Sequence, residues 1–413
     1  MNYEDSRSFA NSLDQQDGLS EYRDQFNYPK DSSGKDLIYF CGNSLGLQPK
    51  TVPSHITKEL SIWAEKGVLG QETRWIAFHE RLAGSTAKLV GALIPEVVVM
   101  NALTVNIHFL LVSFYQPNEK KYKIMIEKDA FPSDHYAIQS QIRFHGYDPE
   151  VALIELEPRK DEKILRHEDI LSSIHDHGDE LSLIYLGGVN YYTGQAFDME
   201  EITKVGRSKG AIVGFNLAHS VGNLPLRLHD WDIDFSAWCT YKYLCAGPGS
   251  PSGVFIHERH HDWNGPRFLG WWGHNKDSRF QMPSVFDPIL TSEGWQISNA
   301  PVMGMAPLLA SMEIYDTVGM NAIRDKGKEL SSYMEYLIKE YLTNVDVITP
   351  EARGCQLSIV VPGGKDVFDH LSEQGVVCDW RNPDVIRVAP HPLFNTFTEV
   401  FEFVEILKKA IGR

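Results

Sequence analysis

Residues 183–216 read LIYLGGVNYYTGQAFDMEEITKVGRSKGAIVGFN. An apolar run from Leu183 to Leu186 stops at Gly187-Gly188, and turn residues carry the chain through Tyr191-Tyr192-Thr193-Gly194. A helical pattern from Met199 to Lys209 then leads through Gly210 into a second apolar run, Ala211 to Asn216. Strand, loop, helix and strand in that order make up a mainly parallel α/β sheet, whose ligands gather at the carboxyl ends of the strands. The same order appears upstream, with Val97 to Met100 before a helix opened by Leu103-Thr104 and running to about Tyr115. Lys123 to Glu127 likewise precedes the loop Phe131-Pro132-Ser133-Asp134 and a helix to about Phe144. Thr104, Phe131, Gly187 and Asn216 are therefore expected at strand ends that converge. Thr104 and Asp134 each suit the capping of a helix start, and the same geometry aims free N–H groups at an anion.

Downstream, LHDWDIDFSAWCTYKYLCAG holds a single lysine, Lys242, between the apolar run Phe235 to Tyr241 and the turn Gly247 to Gly249. Lysine is rarely buried. One in this setting is either an edge residue reaching for water or an amine desolvated for Schiff-base chemistry.

A chain of 413 residues exceeds one ordinary core, so two domains are expected: 51–300 as a large unit and 301–413 as a smaller one, after an N-terminal segment 1–50. Its net charge of -16 opposes nucleic acid or an anionic membrane as the main partner. Five scattered cysteines without a C-x-x-C pair suit a reducing compartment. The acidic, polar N-terminus shows no apolar run, and the protein is expected to be cytoplasmic. Val97 to Tyr115 is interrupted by Asn101, Asn106 and His108, and divides better into strand and helix than into a membrane span.

Two motifs suggest other chemistry. Gly42-Asn43-Ser44-Leu45-Gly46 fits the serine-hydrolase elbow, but Pro49 and Pro53 disrupt the helix that must follow Ser44. His257-Glu258-Arg259-His260-His261 fits H-E-x-x-H, yet it follows a strand and ends within a turn at Gly265-Pro266, so no metal is expected and the letters read as solvated charged residues.

The segment Trp238-Cys239-x-Tyr241-Lys242-Tyr243-Leu244, lying about 26 residues after Asn216-Leu217-Ala218-His219, resembles the cofactor-lysine region of the kynureninases. So do the G-N-S-L-G at 42–46, N-A-L-T-V-N at 101–106, F-P-S-D at 131–134, L-G-W-W-G-H at 269–274, G-W-Q-I-S-N-A-P at 294–301 and R-G-C-Q-L at 353–357. The motifs run in one order from about Leu37 to about Glu399. The resemblance implies a fold-type I enzyme, α/β, with a large domain on a mainly parallel seven-stranded sheet and a smaller C-terminal α/β domain. It implies pyridoxal 5'-phosphate as a Schiff base with Lys242, and Tyr241 as phosphate anchor and proton donor. Leu103, Thr104, Ser133, Asp134, Gly187, Asn216 and His219 would contact the cofactor, Phe131 would stack on its ring, and Trp271 would reach it from a second subunit of a homodimer with shared active sites. Asn299 would face cofactor and substrate, with Ser298 and Val68 beside the substrate and Arg353 on its carboxylate. The implied reaction is hydrolysis of L-kynurenine or 3-hydroxy-L-kynurenine to L-alanine and the matching anthranilate, a step of tryptophan catabolism toward NAD.

Three positions depart from the family's pattern. Asn216 replaces the aspartate that pairs with the protonated pyridine nitrogen, which makes a weakly active or non-catalytic relative the alternative reading. Gly187 replaces a serine. Val68, in the loop 67–75, stands where mammalian enzymes that favour the hydroxylated substrate place a histidine.

Overall fold

The computed structural model describes residues 3–412. Seven strands form the central sheet: Val97–Met100 (β1), Lys123–Glu127 (β2), Leu153–Leu156 (β3), Leu181–Gly187 (β4), Ile212–Asn216 (β5), Phe235–Trp238 (β6) and Ser252–Ile256 (β7). Their order is β1-β7-β6-β5-β4-β2-β3. Only β7 runs antiparallel to its neighbours, β1 and β6; every other pairing is parallel. Alternate residues of one strand enter different cores. In β5, β6 and β7, Val213 and Phe215, Trp238, and Phe255 face one side, whereas Ile212, Phe235 and Ala237, and Val254 and Ile256 face the other. A sheet covered on both faces has no solvated side, which is why these strands read as continuous apolar runs and not as alternating ones.

The stretch 97–115 divides as expected, into β1 and the helix Leu103–Phe114. Among the described residues no helix is long and apolar enough to cross a membrane.

A second sheet, entirely antiparallel, comprises Asp346–Val347 (β8), Leu357–Val360 (β9), Asp379–Arg381 (β10) and Val385–Val388 (β11), in the order β8-β9-β11-β10. Helices Met320–Tyr341 and Phe397–Ile411 pack on it. The N-terminal segment is built into this smaller unit. Ala10 and Leu13, from the helix Arg7–Gln16, share its core with Leu330, Leu337, Val404 and Leu407, and strand Ile38–Tyr39 pairs with Val376–Val377. The helix Val302–Val318 belongs instead to the large core, through Met305, Leu308 and Met312. By packing, the crossing between cores lies within Met320–Tyr341, whose Ile323 joins the first and whose Leu330 joins the second.

Three local expectations change. Ala102 and Phe131 occupy the cap positions of their helices and supply no side-chain bond, so Thr104 and Asp134 are the second and third helical residues and not caps. Residues 71–75, expected in a loop, form a π-helical turn whose Arg74 and Trp75 both bond the buried Glu59 carboxylate. Of the H-E-x-x-H residues Glu258 is exposed as expected, whereas the others are buried or half-buried. His257 is buried beside Glu96 and Asp232 at the start of a short 3-10 turn, and His261 lies beyond that turn with its Nε2 3.2 Å from the Ile256 carbonyl, so the two histidines of the motif do not share a helix face.

Candidate active site

The carboxyl ends of β2, β4 and β5 and the loop after β6 enclose a cavity of about 360 Å³. It is lined by Glu127, Gly187, Asn216 and Lys242 from those elements, and by Thr104 and Ser133 from two helix starts. Lys242 lies in the turn beyond β6, four positions past Trp238. Its side chain is half-buried because the amine opens into the cavity, yet enough protein surrounds it that burial lowers its pKa. Cys239 and Asp134 oppose that shift and the Arg387 and Arg381 charges reinforce it.

Lys242 Nζ lies 2.9 Å from His219 Nε2. Burial and the adjacent Lys242 push the His219 pKa well down, so the ring is neutral and accepts from the amine. That places its proton on Nδ1, which is buried without a partner among the described residues. Phe131 holds its ring centroid 6.0 Å from the same Nζ.

Asn216 is oriented from two sides. Its Oδ1 accepts the Ala218 N–H at 3.0 Å, and its Nδ2 donates to Asp134 Oδ2 at 2.8 Å. The backbone N–H needs an acceptor, so the amide has one satisfactory orientation. Asp134 is fully enclosed; burial lifts its pKa to about 6, against the bond from Asn216 and the charge of Lys242. Glu127, a residue the motifs did not single out, closes the cavity floor and accepts the Gly187 N–H at 3.0 and 3.1 Å. Burial pushes its pKa up to about 8, so it holds a proton at neutral pH. A Cβ on residue 187 would come 3.0 Å from Glu127 Oε1, so the glycine at 187 is what gives this carboxyl its room.

Opposite this wall, the helices Leu103–Phe114 and Pro132–Phe144 start side by side. Thr104 Oγ1 and Ser133 Oγ are 2.9 Å apart, each on the second residue of its helix. Two helix starts without side-chain caps and with two converging hydroxyls form a seat for a multiply charged oxyanion. Leu103 and Tyr241 also line the cavity.

Arg387 and Arg381 come from the small sheet, and both line the cavity. Asp379 on β10 pairs across strands with Arg387 on β11, and its carboxylate holds that guanidinium. Arg387 Nη1 donates to the Tyr191 carbonyl at 2.5 Å, while the buried Nε has no partner among the described residues. No motif pointed to either arginine. The available signal was a basic residue on a short strand with an aspartate opposite it, which requires the register to be known.

Five expected site residues lie elsewhere in the single chain. Arg353 is buried against helix Met320–Tyr341, where Glu335 takes its Nη2 at 2.5 Å. That ion pair occupies the arginine in a different cleft and corrects its expected place beside Lys242. Trp271 is 45% exposed and donates its Nε1–H to the Arg279 carbonyl. Asn299 lines a shallow surface cleft with Trp63 and Trp75, Ser298 is exposed beside it, and Val68 is 78% exposed. Ser44 lines the Lys242 cavity, but no helix follows it before Val52 and no histidine bonds it among the described residues. At the far end of the sheet, Glu96, His229 and His257 bring ligand-type atoms within 4.8 Å of one another. The Glu96 carboxylate there already accepts from His229, Glu258 N–H and Leu93 N–H.

A family model described as the kynureninase C-terminal domain matches residues 323–407. The chain is 51% identical to the protein named kynureninase from Flavobacterium johnsoniae, over 100% of its own length and 99% of that protein. It is 50% identical to the one from Flavobacterium psychrophilum, with the same coverage. Among solved structures, a C-DES variant with glycine covalently linked to its PLP cofactor has a TM-score of 0.78 at 18% identity, over 94% of this chain and 98% of that one. That likeness establishes the fold. Identity near one half, sustained from end to end, goes further: this chain belongs to the kynureninase family.

Proposed function

We propose that the chain hydrolyses L-kynurenine or 3-hydroxy-L-kynurenine, giving L-alanine and anthranilate or 3-hydroxyanthranilate, with pyridoxal phosphate held on Lys242. The observation that carries this reading is the desolvated Lys242 amine facing an uncapped pair of helix starts across a cavity with a buried carboxylate–amide pair at its wall. The residues fit the cofactor in charge and in shape. Thr104, Ser133 and the two helix starts suit the phosphate, Phe131 offers an aromatic face, and the orphaned Nδ1 of His219 offers a polar contact. When bound, pyridoxal phosphate supplies a covalent anchor for the amino acid and a ring that takes up electrons during bond cleavage.

The chain's own groups supply the rest. Lys242, with its pKa lowered, takes the α-proton of the substrate. Arg387, rather than Arg353, binds the substrate carboxylate; it is held by Asp379 and keeps one N–H free. Tyr241, whose hydroxyl stays protonated because burial raises its pKa, anchors phosphate and donates a proton. Asp134, tied to Asn216, is the carboxylate available to a ring nitrogen. Water then adds to the side-chain ketone and the bond between Cβ and Cγ breaks.

A second copy of this chain completes the site in this reading. Phe268, Leu269, Trp271, Phe280 and Met282 are exposed along one loop region, which is unusual for a monomer surface. Trp271, Asn299, Ser298 and Val68 would enter the neighbouring cavity across that contact. The five free cysteines, four of them buried, suit the cytoplasm. The test is purified protein loaded with pyridoxal phosphate and assayed on both kynurenines, with its mass measured by ultracentrifugation. A protein that binds no cofactor, or that holds it and turns over neither substrate, refutes the reading; a monomer refutes only its dimeric part.

A further inference from the structure

Helix Met320–Tyr341 places Arg324, Lys328, Ser331, Ser332 and Glu335 along one face, at the spacing of successive turns. The segment from Thr349 to Gly354 lies against that face and closes a cleft of about 500 Å³ that shares no lining residue with the Lys242 cavity. Four cationic side chains, Arg324, Lys328, Lys339 and Arg353, line it with only two carboxylates, Glu335 and Glu351. Glu335 is already shared, bonded by Lys339 at 2.7 Å and by Arg353 at 2.5 Å. Neither Arg324 nor Lys328 has an ion-pair partner among the described residues. Arg324 is half-buried, and its Nη1 is inaccessible to solvent and has no hydrogen-bond partner among the described residues.

A guanidinium partly withdrawn from water with no carboxylate in ion-pair contact among the described residues is unfavourable, and Arg353 makes it more so while Asp325 offsets it in part. In a molecule of net charge -16, a local surplus of positive charge inside a cleft stands against the overall field. The Arg324 guanidinium supplies a fixed charged donor to an oxygen in the cleft, and Lys328, one turn along, supplies a mobile ammonium for a second. The Ser331 hydroxyl is engaged with the Lys328 carbonyl, which leaves the two cations as the principal contacts.

We propose that this cleft is a binding site for a dianionic oxyanion of the phosphate class, seated on Arg324 and Lys328 and independent of the cofactor site. Two unpaired cations call for a dianion, and the cleft is large enough for a phosphate monoester as well as for free phosphate.

The experiment is calorimetric titration of inorganic phosphate into the enzyme saturated with pyridoxal phosphate, so that the phosphate seat beside Thr104 is filled. One saturable site per chain is expected, with affinity about tenfold weaker in Arg324→Gln and about threefold weaker in Lys328→Gln, and with cofactor absorbance unchanged in both. Phosphate should also raise the thermal midpoint of the wild type more than that of either variant. Lys328 is exposed and its replacement leaves the core intact, so it keeps the test decisive if Arg324→Gln folds poorly. No saturable binding up to about 10 mM phosphate, or binding equal in wild type and Lys328→Gln, overturns the proposal.

Discussion

The two ends of the central sheet use the same residue types in opposite ways. At the end of β7 away from the cavity, Glu96, His229, His257, His260, Asp232, Asp234 and Arg259 bond one another, and Glu96 alone accepts from His229 and two backbone N–H groups. At the cavity end, polar groups just as buried are left incomplete. His219 Nδ1 and Arg387 Nε have no partner among the described residues, Glu127 carries a proton at neutral pH, and the Lys242 amine faces a neutral ring. A closed network holds a fold together, whereas an open one stores the capacity to bind. The letters H-E-x-x-H fall at the closed end, where His257 packs beside Glu96 and Asp232 and His261 reaches the Ile256 carbonyl.

Substitutions at the two ends should therefore separate activity from stability. Lys242→Ala is expected to have the largest effect, abolishing the near-visible cofactor band and lowering turnover at least about a thousandfold, since the amine is both anchor and base. Residual turnover near wild type would show that the cavity's chemistry does not run through this lysine. Arg387→Gln should come next. A carboxylate that loses a charged hydrogen bond gives up about 1.5 to 3 kcal/mol, which would appear as about a ten- to hundredfold rise in KM for kynurenine. Arg353→Leu should leave KM unchanged and lower the unfolding midpoint, because it removes a buried ion pair with Glu335 and a bond to the Pro350 carbonyl outside the Lys242 cavity. A KM effect at 353 and none at 387 would reverse the assignment of the two arginines.

Asn216→Asp would set a second carboxylate 2.8 Å from Asp134, and two such groups cannot both ionise in a buried site. Shared protonation should let residue 216 carry the negative charge that Asp134 alone carries in wild type, raising turnover about tenfold with cofactor content unchanged. A pH titration of the cofactor absorbance that matches wild type would show that Asp134 already fills this role.

Glu127→Gln should have a smaller effect, read in stability. The folded pKa is raised from 4.5 to about 8, so above pH 4.5 the folded state binds more protons than the unfolded one. Stability from this group thus falls as pH rises from 4.5 through about 8. The amide has no charge to desolvate, and thermal unfolding of the variant should show a gain over wild type that is about 4 kcal/mol larger at pH 8.5 than at pH 5. A gain of equal size at both pH values would mean that ionisation of Glu127 is not its source. Glu96→Gln, at the closed end, should leave turnover and KM unchanged and cost about 1 to 3 kcal/mol of stability.

The alternation of apolar runs and helical patterns was enough to place Val97–Met100, Lys123–Glu127 and Ile212–Asn216 as strands, because fully buried strands carry no polar interruptions. The same logic was blind to Glu127. It sits at the end of an apolar run like any solvated charge, and only the return of β4 beside β2, with Gly187 lacking a side chain, encloses it. Asp379–Arg381 was missed because three residues have no periodicity to read, and Arg387 could not be recognised as a cavity residue without that strand beside it. Arg353 misled for the converse reason. Its motif was legible, but its direction depends on a helix that begins more than thirty positions earlier and offers Glu335.

Sequence by itself therefore determined the α/β alternation, the lysine set in an aromatic run, the two hydroxyl-bearing helix starts and the family, all of which depend on neighbours within a few residues or on the order of motifs. Tertiary structure alone decided which charges are paired. It closed the ring around Glu96 and left His219 open, turned Arg353 away from the cavity and brought Arg387 into it, and left Arg324 without a partner. Pairing of charges depends on distances between residues remote in the chain, and burial multiplies the consequence of each such distance by removing the water that would otherwise screen it.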